Sequence, residues 1–305
     1  MLLFDIESIE DKNNALGYLK LQSPNKRSHA KIALNLGASL QELYINDKSI
    51  IETGDMDYGS SYASSVLFPF VNRVKEGKYT FDENEYLLET NAKEEKNALH
   101  GLIYDKTFKV ITKEITKDRA SATLEYKETR KPKGFPFNYS IALKYTLTNT
   151  DLKLKVSVKN IDTKPFPFNI GWHPYFSSSD LYNSFIGIES SKKFVVDEAM
   201  IPIKTEDISL DQFLQIKDSS FDDCFILNKN NVNFKTPDYE IELSTSYEEN
   251  YLQIYTPKNR KHIAIEPTTA PADSFNNSYG LQVLKPEDTH KISWMINLKS
   301  YEQYN

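Results

Sequence analysis

Residues 141–159 constrain this chain more tightly than any other stretch. Ile141, Leu143, Tyr145 and Leu147 alternate with Ala142, Lys144, Thr146 and Thr148. After Asn149-Thr150-Asp151 the alternation resumes, with Leu152, Leu154, Val156 and Val158 set against Lys153, Lys155, Ser157 and Lys159. Period 2 on both sides of a short Asn/Asp turn predicts a β-hairpin with one dry face. Wound as a helix, the same residues would spread Lys153, Ser157 and Lys159 over more than one side and blur the stripe.

Similar alternation recurs at 29–45, 106–115, 120–128, 239–245, 250–256, 261–266 and 288–299. Turn chemistry separates these segments at Gly54-Asp55, Glu76-Gly77, Lys131-Pro132-Lys133-Gly134, Asn228-Lys229-Asn230-Asn231 and Pro257-Lys258-Asn259. Aromatic residues make up 12% of the chain, and aromatic side chains suit a pleated, half-buried surface. Only the acidic stretch 205–217 reads as helical. Many short strands, with no composition break that would mark a linker and no repeat of fixed period, predict one large all-β domain over residues 1–305, a sandwich or a barrel.

Composition removes several functions. Lys+Arg 37 against Asp+Glu 43 leaves a net charge of -6, the wrong sign for a nucleic-acid partner. A single cysteine, Cys224, rules out an internal disulfide framework and a cysteine-based zinc site. The five histidines, His29, His100, His173, His262 and His290, show no HxH or HxxxH spacing, so no metal site is expected. No GxGxxG, GxxxxGK[ST] or GxSxG loop is present, which removes the common nucleotide enzymes and the α/β hydrolases. The opening Met1-Leu2-Leu3-Phe4-Asp5 is too short and acidic for a signal peptide, and no run of apolar residues is long enough to span a membrane. A cytoplasmic protein is expected.

What remains is a set of polar residues that interrupt or end apolar segments. Asn72-Arg73 follows Val66-Leu67-Phe68-Pro69-Phe70-Val71. His100 sits in Asn97-Ala98-Leu99-His100-Gly101, and His173 in Asn169-Ile170-Gly171-Trp172-His173-Pro174-Tyr175-Phe176. Asp222 and Asp223 precede Cys224-Phe225, and Glu266 ends Ile263-Ala264-Ile265 before Pro267. Burying such groups costs several kcal/mol unless each is paired or hydrogen-bonded, so their recurrence points to a polar pocket.

In this order, Val71-Asn72-Arg73-Val74 with Gly77, Tyr79 and Phe81, then Leu99-His100-Gly101, His173-Pro174-Tyr175-Phe176, Asp222 with Cys224-Phe225, and Glu266-Pro267 resemble the aldose 1-epimerase (galactose mutarotase) family. The motifs cover about residues 66–275. The resemblance implies a large antiparallel β-sandwich with a sugar cleft on one sheet face, a monosaccharide substrate and no cofactor. It also implies His173 as general acid, Glu266 as general base and His100 as a second histidine of the site. Arg73 and Asp222 fall on its sugar-hydroxyl ligands, and Asn72 and Tyr175 line the pocket. Leu102 and Phe108 stand where the family often has Gly and Trp, and Trp172 where it often has a smaller or polar residue.

These residue types suit the chemistry. Exchanging the anomers of an aldose requires one group to take the proton of the C1 hydroxyl and another to protonate the ring oxygen. With ordinary pKa values of about 4.3 for Glu and 6.5 for His, the carboxylate is ionised near pH 7 and part of the imidazole is charged. Read as one strand, 169–175 puts His173 and Tyr175 on one face and Trp172 on the other, while 262–266 puts Glu266 with Ala264 and His262 opposite Ile263 and Ile265. Trp172 and Tyr175 read first as packing residues, and His262 as a surface or supporting one. Four alternatives stay open: Asp223 in place of Asp222, an epimerase of hexose 6-phosphates, a sugar-binding sandwich without turnover, and, more distantly, a glycoside hydrolase with Asp222 and Glu266 as its carboxylate pair. A phosphosugar site would call for several arginines, and of the five in the chain only Arg73 lies in a site motif.

Overall fold

The computed structural model describes residues 2–11, 16–92, 94, 96–248 and 250–299; Met1 lies outside them. The alternating segments form strands, except that 29–45 is interrupted: residues 34–38, with Leu34 and Leu36, are a turn between His29–Ala33 and Ser39–Ile45. Tyr139–Leu147 and Asp151–Asn160 make the expected hairpin, with Leu147 opposite Leu152 and Ile141 opposite Val158. Their apolar residues are fully buried and their lysines lie at or near the surface.

Among the described residues, this hairpin sits inside a nine-stranded antiparallel sheet. An eight-stranded antiparallel sheet faces it, with Asp222–Leu227, Tyr251–Tyr255 and His262–Thr268 at its centre. A five-stranded meander over residues 5–52 forms a further layer. Trp172 of the eight-stranded sheet stacks on Trp294 of the nine-stranded sheet, ring centroids 6.1 Å apart, and both are buried. The Tyr145 hydroxyl donates to the Ala38 carbonyl at 2.8 Å, tying the meander to the same core. One continuous apolar cluster runs through these three sheets; of the sandwich and barrel that the strand pattern left open, this is the large antiparallel β-sandwich the resemblance implies.

Two other expectations fail. The stretch 205–217 is not helical: Pro202–Asp207 is the edge strand of the eight-stranded sheet and Leu214–Gln215 pairs with Phe185–Ile186. Segment 169–175 is not one strand but breaks between Gly171–Trp172 and Tyr175–Ser177. Pro174 has no N–H to donate, so the ladder is interrupted there. No helix among the described residues is long and apolar enough to cross a membrane.

Candidate active site

Close backbone approach and side-chain alternation place His173. Gly171 pairs with both Leu67 and Thr268, and a Cβ there would lie 2.7 Å from the Thr268 side chain and 2.9 Å from that of Val71. Trp172 turns into the core, where its indole N–H donates to the Ser64 carbonyl at 3.1 Å. His173 therefore faces the other way, even with the strand broken. Its N–H donates to the Ser65 carbonyl at 3.0 Å and its carbonyl accepts from Ser64 at 2.8 Å. Tyr175 stacks on its ring at 5.1 Å with planes 24° apart.

Glu266 comes from the central strand His262–Thr268, where Ile263 and Ile265 fill the core and Ala264 and Glu266 point to the His173 side. Its Oε1 lies 3.4 Å from His173 Nε2, and both side chains are buried. Gln253 is its cross-strand neighbour, and the Gln253 amide donates to Asp222 Oδ1 at 2.7 Å. Asp223 projects to the opposite face and pairs with Lys193 at 3.0 Å. Of the two adjacent aspartates, Asp222 alone joins the cluster.

Two loops complete it. His100 meets His173 edge to face, ring centroids 4.8 Å apart. Its N–H donates to the Asn72 carbonyl at 2.8 Å, and Leu99 pairs with Arg73. Arg73 Nη1 donates to Asn72 Oδ1 at 2.9 Å. Asp273 braces this loop: its N–H donates to the Arg73 carbonyl at 2.6 Å and its Oδ1 accepts from the Lys75 N–H at 2.9 Å. Asn169, buried behind, accepts from Val71 at 2.6 Å and donates to the Ser274 hydroxyl.

The electrostatics differ from what ordinary pKa values imply. Burial, with the Asp222 charge adding to it, holds Glu266 well above the usual carboxylate range, while Arg73 pulls the other way. Burial lowers His173 to about 4. Burial, then the charges of His173 and Arg73, holds His100 well below the usual imidazole range. Burial thus pushes the two groups towards each other, His173 down and Glu266 up. Burial therefore works against the ionised Glu and partly charged His that ordinary pKa values give, because removing both groups from water disfavours separated charges.

Each residue named from the sequence is thus accounted for. His173, Glu266, His100, Tyr175, Asn72 and Arg73 converge by contact or charge, and Asp222 joins through Gln253. His262 is corrected: it is buried, and its Nε2–H donates to the Glu52 carbonyl at 2.9 Å, because the five-stranded meander covers it. Gln253 escaped notice, although it interrupts the apolar Tyr251–Tyr255 as Glu266 interrupts its own strand.

Architecture and cluster together define a sandwich with a buried polar site on one sheet face. A galactose mutarotase-like protein from Clostridium acetobutylicum has the same fold, with a TM-score of 0.87 at 20% identity over 98% of this chain and 99% of its own. The sequence matches aldose 1-epimerase over residues 19–296, and the chain belongs to that family. It is similar to the maltose epimerase of Levilactobacillus brevis (26% identical, covering 77% of this chain and 76% of the relative). It is also similar to the galactose mutarotase of Rattus norvegicus (29% identical, 46% and 41%). Family membership makes the chain an isomerase of sugars.

Proposed function

We propose that this protein interconverts the α and β anomers of free hexoses such as galactose or glucose by acid–base ring opening and closure, without a cofactor. The observation that carries the reading is the buried contact of His173 Nε2 with Glu266 Oε1 at 3.4 Å. In a pyranose, O1 and O5 are bonded to the same carbon, so an acid and a base that nearly touch can address both. Glu266 takes the O1 proton, His173 protonates O5, and the C1–O5 bond breaks to give the aldehyde. Rotation about C1–C2 presents the other carbonyl face. Closure runs the same transfers backwards, with acid and base exchanged. A pair holding one proton suits this symmetry, since either distribution of that proton starts one of the two directions. Each transfer is worth about 10²–10⁴-fold, and the fixed geometry adds orientation.

Arg73 supplies donors and Asp222 an acceptor for the sugar hydroxyls, with Asn72 and Tyr175 shaping the pocket and a neutral His100 facing the reacting atoms. The phosphosugar alternative is disfavoured. Arg27 pairs with Asp47, Arg130 with Glu128, and Arg260 donates to the Ser219 and Lys217 carbonyls. Polarimetry on freshly dissolved α-galactose, α-glucose, maltose and glucose 6-phosphate tests the reading. Wild-type protein should speed the decay of rotation of at least one free aldose, and Glu266→Gln or His173→Asn should abolish most of that acceleration. Wild-type protein inert towards every aldose tried would overturn it.

A further inference from the structure

Packing holds the His100 imidazole in place. Its Nδ1 is buried with no hydrogen-bond partner, so packing rather than bonding sets the ring's orientation. The residue also sits at φ 60, a conformation a non-glycine residue adopts only when its surroundings impose it. Two rings pack on the imidazole: His173, at 4.8 Å between centroids, and Tyr62, at 4.9 Å. Tyr62 is buried and is itself backed by Tyr104, ring centroids 4.8 Å apart.

A single side chain ties this arrangement together. Asn91 Oδ1 accepts from the Leu99 N–H at 2.7 Å, and Asn91 Nδ2 donates to the Leu99 carbonyl at 3.0 Å and to the Tyr62 hydroxyl at 3.1 Å. Asn91 thus grips the peptide groups just before His100 and also the ring that packs on it. A cavity of about 920 Å³ touches Asn91, Gly101 and Tyr104 but not Tyr62 or His100.

We propose that Asn91 and Tyr62 are positioning residues for His100, acting on sugar turnover through it alone. The inference rests on the reading above, in which His100 faces the reacting atoms. The side chains that hold a group so close to the reacting atoms are worth up to about a hundredfold in rate, since misplacement by about 1 Å costs that much. Tyr62→Phe keeps the ring and loses only the hydroxyl bond, so it should retain most of the activity that Tyr62→Ala loses.

A double-mutant cycle tests this by polarimetry on the aldose that the wild type turns over fastest. Asn91→Ala should lower kcat/KM about ten- to a hundredfold in the wild-type background and leave it nearly unchanged in a His100→Gln background. Should Asn91→Ala fail to fold, the same cycle run with Tyr62→Leu decides, with Tyr62→Phe as the variant expected to stay near wild type in both backgrounds. Equal fold-losses in both backgrounds would overturn the inference while leaving the anomerase reading intact. A His100→Gln protein as active as the wild type would instead overturn the role of His100, and the inference with it. No turnover by the wild type would sink the reading itself.

Discussion

Replacing Gly101 by alanine is the sharpest test of how the fold delivers the site. Gly101 follows His100 at φ 78, where a side chain is strained. A Cβ built there lies 2.4 Å from the Phe68 carbonyl oxygen and 2.7 Å from the Phe68 nitrogen. Contacts below 3.0 Å do not occur, so the two backbones must separate by at least the difference, 3.0 − 2.4, or about 0.6 Å. The Phe68 carbonyl also accepts from the Leu102 N–H at 2.7 Å, and that bond runs across the gap that must widen. Backbone strain of about 1–3 kcal/mol and a hydrogen bond worth about 1 kcal/mol give a destabilisation of about 2–4 kcal/mol. The same movement drags His100, whose ring lies 4.8 Å from that of His173, and should cost about tenfold or more in turnover. Urea unfolding gives the first quantity and polarimetry the second. A Gly101→Ala protein with wild-type midpoint and rate would refute the claim that close approach to Phe68 fixes the His100 loop.

Other consequences are equally open to measurement. With His173 lowered to about 4 and Glu266 raised, the one-proton state of the pair extends from about pH 4 to well above the ordinary carboxylate range. The kcat/KM profile should therefore be flat around neutrality, falling in acid when His173 gains a second proton for the pair and in base when Glu266 loses the only one. An acid limb centred near pH 6.5 would contradict this. Asp222→Asn should depress turnover at least tenfold while Asp223→Asn leaves it unchanged, because Asp223 pairs with Lys193 on the other face. The reverse ranking would remove Asp222 from the site. Trp172→Ala, which empties a fully buried position against Trp294, should cost about 3–5 kcal/mol in urea unfolding. A loss below about 1 kcal/mol would show that the two sheets are not joined there.

How much of this was legible depends on what each residue faces. Ile141, Leu143, Leu152 and Leu154 announce a strand because one side of their hairpin is dry and the other wet. Pro202–Asp207 announces nothing, because an edge strand with solvent on both sides carries no alternation, and its acidic residues then imitate a helix. His262 was misplaced for another reason. The Glu52 carbonyl, which accepts its hydrogen bond, lies far away in sequence on the meander that covers it, and no local pattern records such a cover. Gln253 and Asn91 were missed because an isolated amide is ordinary in any sequence. Its meaning appears only when Asp222, or Leu99 and Tyr62, is found at the other end of the hydrogen bond.

The protonation state was the least legible feature, and it bears most on mechanism. Residue types alone assign the proton to the histidine, since imidazole is the stronger base in water. Burial pushes towards reversing that preference, lowering His173 and raising Glu266, because a dry site disfavours the charged form of each. For a reaction with a fixed direction the reversal would exchange acid and base and change the chemistry. For exchange of anomers both distributions are used in turn: opening needs Glu266 ionised and His173 protonated, and closure needs the opposite, so each residue accepts a proton in one half of the cycle and donates it in the other. What the site has to preserve is the number of protons on the pair and the 3.4 Å between the atoms that trade them, and both are set by the sheet, not by either residue's intrinsic acidity.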